Sequence, residues 1–136
     1  MNKIACVTGA SSGIGMATAK VLSKEGYALI LCGRRKDRLE QLQLSLATES
    51  VVLVFDVKYQ ADVQAAFNSL SDKWKNIDVL INNAGNAHGL EPIVEGSIAD
   101  WDEMIDVNVK GLLYVSKAVL PVMKSRDRKS TRLNSS

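Results

Sequence analysis

The sequence predicts an α/β domain built on a doubly wound parallel β-sheet. Short apolar segments of strand length alternate with longer segments of helical period, and these apolar segments lack the polar alternation of a half-exposed strand. Strands that are apolar on both faces lie inside a sheet, and alternation with helices makes them parallel through right-handed crossovers. The 136 residues, 46% hydrophobic and 24% charged, suffice for one such domain.

The predicted elements alternate from residue 4 to residue 124. A glycine-rich turn follows the first strand, and Gly26 stops the first helix. Ser97 and Asp100 form a capping box ahead of the last helix, in which Pro121 comes late and is expected to bend the final turn. The predicted strands are 4–7, 28–32, 51–55 and 78–81, and the predicted helices are 13–25, 36–47, 61–70 and 99–124.

Composition excludes several classes of protein. No apolar segment approaches the roughly 20 residues of a membrane helix, and the N-terminus lacks a signal-peptide pattern, so a cytoplasmic protein is expected. Cys6 and Cys32 are expected to be buried thiols, and a single histidine without clustered ligands predicts no metal site. The excess of 17 basic over 15 acidic residues comes from the last ten residues, so neither nucleic acid nor a membrane is an expected partner.

Residues 127–136, DRKSTRLNSS, form a polar tail without apolar period. A solvated, frayed terminus would explain it. A second explanation starts from one permitted back-translation, GATCGGAAGAGCACACGTCTGAACTCCAGT, which resembles a common DNA sequencing-library adapter. We expect residues 1–126 to be the N-terminal part of the domain, truncated after about four β/α units, and residues 127–136 to be adapter-derived, which the raw sequence reads would test.

A glycine-rich turn, TGASSGIG at residues 8–15, joins the first strand to the first helix. A nucleotide pyrophosphate can bind there because helix N-terminal amides lack partners and the helix dipole is positive at that end. A simple tight turn is the alternative, and the strand–turn–helix context favours binding. The absence of a following Gly-Lys-Ser/Thr argues against a nucleotide-hydrolysing P-loop. The residues expected at the pyrophosphate are Gly9, Ala10, Ser11, Ser12, Gly13, Ile14 and Gly15.

Four motifs, in order, make the chain resemble the short-chain dehydrogenases/reductases. TGASSGIG resembles the family's TGxxxGIG, and NNAG at residues 82–85 resembles the motif that follows its fourth strand. Asp56 and Val57 match the pair that closes its third strand, and Asn108 matches its catalytic asparagine. The resemblance covers residues 3 to about 125. It implies a Rossmann-type fold and hydride transfer between a nicotinamide cofactor and a carbonyl or hydroxyl group.

The end of the second predicted strand indicates which cofactor is preferred. An acidic residue that binds the ribose hydroxyls of NAD normally stands there, whereas this chain has Gly33 followed by Arg34 and Arg35. Guanidinium groups suit a 2′-phosphate, and the missing carboxylate removes a repulsion, so NADP(H) is expected. A basic, solvated loop is the alternative.

Further cofactor contacts are implied by the resemblance. It assigns the adenine to Asp56 and Val57, and the ribose and nicotinamide side to Asn83, Ala84 and Gly85. The competing interpretations are that Asp56 caps a helix and that the asparagines brace neighbouring strands.

The family's proton relay uses a Ser and a Tyr-x-x-x-Lys, and neither can be placed in this chain. Tyr114 has Lys117 three residues on and Ala118 four residues on, so packing is expected for it. Asn108 is the one catalytic residue carried over; the family uses it to hold a water, and a polar residue at a helix distortion is the alternative. His88 is expected in a substrate-side loop rather than as a general base. Trp74 and Trp101 are expected to pack.

Three longer strings, CGRRKDRLEQL, WKNIDVLINNAGNAHGLEPI and DWDEMIDVNVKGLLYVSKAVLP, resemble the NADP-dependent 3-hydroxy acid dehydrogenase branch, which acts on serine, allo-threonine and similar acids. We expect an oxidoreductase of that type, homo-oligomeric as a whole, either dimer or tetramer, with a small hydroxy acid or carbonyl compound as substrate. The 136-residue chain alone is expected to have no turnover and an unpaired apolar edge beside its fourth strand. A non-catalytic NADP-binding or interaction module is the alternative.

Overall fold

Strands and helices alternate through the part of the chain that the computed structural model describes, which is residues 2–11, 13–83, 98–99, 102, 109–125 and 133–135. The strands are β1 (Ile4–Val7), β2 (Ala28–Gly33), β3 (Ser50–Val54), β4 (Val79–Asn82) and β5 (Leu133–Ser135). The helices are α1 (Gly13–Lys24), α2 (Lys36–Ser45), α3 (Gln60–Asn68) and α4 (Gly111–Ser125).

The predicted order of elements from β1 to β4 is confirmed, with ends that differ by one or two residues. Of the predicted last helix, the structure describes α4, helical backbone at residues 98–99 and 102, and a π-type turn at residues 109–110. Pro121 lies inside α4, which continues to Ser125. The capping box lies outside the described residues.

All neighbouring strands are parallel, in the order β3-β2-β1-β4-β5. From β1 the chain moves outward through β2 to β3 and then returns to place β4 on the other side of β1. The order therefore reverses between β1 and β4. In open α/β sheets, ligands bind outside the carboxyl ends of the strands at this reversal.

The central strands β1 and β2 are buried on both faces, as the apolar segments predict, whereas the edge strand β3 is mostly half-buried. In β1, Ile4 and Cys6 lie on one face and Ala5 and Val7 on the other, following the two-residue period of a strand. On the first face, β1 and β2 pack against side chains of α3 and α4, such as Phe67 and Val115, in what we call the α3–α4 layer. On the other face they pack against α1 and α2 in the α1–α2 layer.

Both cysteines are buried free thiols, as expected, and their Sγ atoms lie 3.7 Å apart. Burial raises the pKa of the Cys32 thiol well above its usual value, and the contact with Cys6 raises it further. Such a thiol stays protonated and unreactive near neutral pH. The pair therefore serves as packing in the α3–α4 layer.

The expected unpaired edge beside the fourth strand is wrong. Strand β5, from the polar tail, pairs with β4 in parallel, with Leu80 opposite Leu133 and Asn82 opposite Ser135. The physical reason is that a sheet edge presents free backbone N–H and C=O groups, which pair with an extended segment whatever its side chains. The adapter origin of residues 127–136 stays a prediction.

Within the described residues, no helix has the length and apolarity needed to cross a bilayer.

Candidate functional site

The glycine-rich turn connects the carboxyl end of β1 to the start of α1. Gly9 and Gly13 have φ angles of 62° and 57°, in the left-handed region that glycine adopts without strain. The N–H of Ala10 donates a hydrogen bond of 3.0 Å to the carbonyl of Cys32, which fixes the turn against the neighbouring β2. Ser12 lies outside the described residues.

Gly15 brings the first turn of α1 directly onto the glycine-rich turn. A Cβ atom at Gly15 would lie 2.0 Å from the carbonyl oxygen of Gly9 and 2.8 Å from Nδ2 of Asn83, so no larger residue fits. The contact places the start of α1 at the reversal between β1 and β4. Ile14, between the packed glycines, is 66% exposed and points away from the core. The start of the helix is therefore positioned to receive an anion through its free amides.

Buried polar side chains join β1 to β4 beside this turn. The hydroxyl of Thr8 donates to Oδ1 of Asn82 at 3.0 Å and accepts the backbone N–H of Asn83 at 2.8 Å. Nδ2 of Asn82 donates to the carbonyl of Leu112 at 3.4 Å, which links β4 to α4. The bracing interpretation is therefore confirmed for Asn82. Asn83 is held through its backbone, with its side chain next to Gly15.

Arg34 and Arg35 are exposed directly after β2. Arg35 is the N-cap residue of α2, its backbone is extended, and its side chain makes no capping hydrogen bond. Among the described residues, neither guanidinium takes part in an ion pair. A Cβ atom at Gly33 would lie 3.3 Å from Oγ of Ser11, so the end of β2 adjoins the glycine-rich turn. Arg34 and Arg35 therefore come directly after Gly33, which packs against the glycine-rich turn.

Asp56 and Val57 follow β3. Oδ1 of Asp56 accepts the N–H of Lys58 at 3.0 Å, and the Lys58 ammonium lies 3.9 Å from Oδ2. The helix-capping interpretation of Asp56 is wrong, because the N-cap of α3 is Tyr59 and the carboxylate instead closes the turn before the helix. Val57 is buried beneath α4, where a Cβ at Gly111 would lie 2.7 Å from its Cγ2.

Two aromatic residues that were expected to pack, Tyr114 and Trp74, lie within the described part of the chain. Tyr114 is half-buried against the α3–α4 layer and Trp74 is buried within it, so packing is confirmed for both. The remaining predicted positions lie outside the described residues: Ala84, Gly85, His88, Trp101 and Asn108.

The structure has a cleft of about 440 Å³ between α1 and α2 that the sequence did not predict. It opens beside the glycine-rich turn, and its charged lining residues, Lys20 and Arg38, are both cations. The helical spacing of its α2 residues, at i, i+3, i+4 and i+7, places them on one side of that helix, but it does not show that α1 lies opposite them. The lining residues are Ser11, Gly13, Met16, Lys20, Arg38, Gln41, Leu42 and Ser45.

Comparison with known proteins agrees with this geometry. The family model described as "short chain dehydrogenase" matches residues 3–132. The NADP-dependent 3-hydroxy acid dehydrogenase YdfG of Salmonella typhi is 43% identical over 125 residues, which are 92% of this chain and 50% of that protein. The chain thus spans about half the length of the curated relatives it matches.

Solved structures give the same relation. The serine dehydrogenase from Escherichia coli is 39% identical and superposes with a TM-score of 0.88, over 96% of this chain and 60% of that one. A closed form of serine dehydrogenase complexed with NADP+ has the same TM-score and identity, over 96% of this chain and 52% of that one.

Proposed function

Because the chain belongs to the short chain dehydrogenase family, we propose that it is the N-terminal half of an NADP-dependent oxidoreductase that interconverts a hydroxyl and a carbonyl group. The observation that supports this proposal most directly is the close packing of Gly15 on the carbonyl oxygen of Gly9. This contact sets the start of α1 at the reversal of strand order, where a dinucleotide pyrophosphate can approach backbone amides.

The residues present fit NADP(H). The turn from Gly9 to Gly15 would hold the pyrophosphate, and Arg34 with Arg35 would bind the 2′-phosphate, since exposed guanidinium groups without described ion-pair partners are available for a dianion. Asp56 and Val57 are proposed for the adenine, and Asn83, Ala84 and Gly85 for the ribose and nicotinamide side. When bound, the nicotinamide supplies or accepts the hydride.

We further propose a small 3-hydroxy acid, such as serine or allo-threonine, as substrate of the whole protein. The names of the relatives at 43% and 39% identity support this class. Asn108 would hold a water of the proton relay. None of Tyr27, Tyr59 and Tyr114 has a lysine four residues later, so the 136-residue chain is proposed to bind NADP(H) without turnover. The whole protein is proposed to be a homo-oligomer.

The test begins with the coding DNA downstream of codon 126. We expect the reading frame to continue into a Ser and a Tyr-x-x-x-Lys, and the intact protein to oxidise L-serine with NADP+ in preference to NAD+. A genuine stop codon at that point would instead support the non-catalytic module.

Replacing both cations in the intact protein, Arg34→Ala with Arg35→Ala, tests the cofactor assignment. The KM for NADP+ should rise by about tenfold or more, while the KM for NAD+ should change little, because only NADP+ carries the 2′-phosphate. A preference for NADP+ that survives the double substitution would contradict the assignment. Failure of the unsubstituted protein to bind either dinucleotide would contradict the reductase itself.

A further inference from the structure

The cleft between α1 and α2 has no role in the proposed function so far. It connects Ser11 and Gly13, from the glycine-rich turn, to one side of α2. Lys20 and Arg38 are its charged lining residues, both are exposed, and no carboxylate is among the described residues that line it. The lining therefore favours an anionic ligand.

Arg38 lies at the end of the cleft nearest the turn. Both helices begin after the carboxyl ends of adjacent parallel strands, so they run in the same direction and their first turns are neighbours. Arg38 is in the first turn of α2, as Gly13 is in that of α1. Lys20 is seven residues beyond Gly13, about 10 Å further along at 1.5 Å per residue. Of the two cations, Arg38 is therefore the one next to the phosphate-binding turn.

Ser11 connects this end of the cleft to the end of β2. Ser11 borders the cleft, and its hydroxyl oxygen lies 3.3 Å from the position of a Cβ at Gly33, the residue before Arg34. A phosphate monoester placed beside Ser11 would thus have Arg34 and Arg35 on the β2 side and Arg38 on the α2 side. The buried Leu42 lines the cleft as well, and a less polar wall strengthens the attraction between charges.

We propose that Arg38 is a further specificity-determining residue, which binds the 2′-phosphate of NADP(H) from the α1–α2 cleft together with the Ser11 hydroxyl. This inference rests on the proposed function, since it assigns another residue to the same cofactor. The planar guanidinium donates two parallel hydrogen bonds to phosphate oxygens, which an ammonium group at the same place does not.

Binding of two small probes to the full chain tests the role of Arg38 without relying on activity. Adenosine 2′,5′-bisphosphate carries the extra phosphate, and 5′-AMP lacks it. Arg38→Ala should weaken the bisphosphate by about tenfold or more and leave 5′-AMP within about twofold, while Arg38→Lys should lose part of the affinity. Lys24→Ala is the matched control, because Lys24 is an exposed cation of α1 outside the cleft.

The outcomes separate the two proposals. If Arg38→Ala and Lys24→Ala have equal effects while Arg34→Ala with Arg35→Ala removes the preference for the bisphosphate, the role of Arg38 is overturned and the cofactor assignment stands. If the unsubstituted chain binds both probes equally, both proposals are overturned. Thermal unfolding of each variant establishes that binding is compared between folded proteins, and Arg38→Lys keeps the test decisive should the alanine variant unfold.

Discussion

A single methyl group at Gly15 would prevent the first turn of α1 from packing on the glycine-rich turn. Its carbon would lie 2.0 Å from the Gly9 carbonyl oxygen, so the backbone itself must move. We expect Gly15→Ala to lower the free energy of unfolding by about 2–4 kcal/mol and to weaken NADPH binding by about tenfold or more. Urea unfolding and a fluorescence titration with NADPH measure the two effects.

Gly26→Ala is the control for this substitution. Gly26 has a φ of 95° at the end of α1, and a Cβ there would meet no atom within 4 Å. It should cost about 1–2 kcal/mol through backbone strain alone and leave the NADPH affinity unchanged. Equal losses of affinity in the two variants would mean that the Gly15 contact has no specific role in the site.

At the same scale, residue types predicted the glycine turn but not Arg38. Gly9 and Gly13 adopt positive φ angles and Gly15 packs on the carbonyl oxygen of Gly9, so the local motif is enough to predict the turn. Arg38 belongs to the cleft only because the first turns of α1 and α2 are neighbours in space. That relation depends on how two helices pack on the sheet, and local sequence does not specify it.

At the level of elements, α4 approaches the segment that follows β3 through a glycine. A Cβ at Gly111 would lie 2.7 Å from Cγ2 of Val57, whereas alanine is about 1 kcal/mol better than glycine within a helix. We expect Gly111→Ala to destabilise the chain by about 1–3 kcal/mol when Val57 is present. In the Val57→Ala background the contact with Cγ2 is removed while the Cβ of residue 57 still lies 2.9 Å from that position, so the same substitution should destabilise the chain less.

Urea unfolding of the four proteins of this cycle measures the coupling between the two positions. The coupling free energy should be about 1 kcal/mol or more, in the direction that relieves the clash. Additive effects would contradict the close packing of α4 on the segment after β3.

The ends of elements were predicted less well than their order, and α2 shows why. Leu46 continues the apolar stripe of the helix, so the period predicts an end at residue 47, yet α2 ends at Ser45. The backbone amides of Ala47 and Thr48 instead donate to Oγ of Ser23 in α1, at 3.0 and 3.2 Å. Two hydrogen bonds to a residue of another helix thus replace the last helical turn, and no local pattern contains them.

For the whole molecule, alternating apolar segments predicted the parallel sheet because burial on both faces leaves few other arrangements. The pairing of β5 with the edge of β4 could not be predicted from the sequence. The tail has no apolar period, and its pairing with Leu80 and Asn82 depends on backbone groups that every sequence possesses. Side-chain patterns specify which face is buried, but they do not specify which segment covers an open edge.

Removing residues 127–136 tests that pairing. We expect the shortened chain to lose about 1–3 kcal/mol of unfolding free energy, because a few backbone hydrogen bonds at about 1 kcal/mol each disappear. It should also self-associate more readily through the exposed edge of β4. Its NADPH affinity should be unchanged, since the glycine-rich turn follows β1 and Arg34 follows β2, and β4 separates both strands from β5. Urea unfolding, size-exclusion chromatography with light scattering and an NADPH titration measure the three effects.

A second truncation, which removes only residues 133–136, is the matched control. It deletes β5 and keeps every residue that the family model matches. Because the pairing of β5 is the physical cause proposed for the lost stability, both truncations should behave alike. A shortened chain that is as stable and as monomeric as the full one would show that Leu133–Ser135 contributes nothing to the sheet. A loss confined to the longer truncation would assign the effect to residues 127–132 instead.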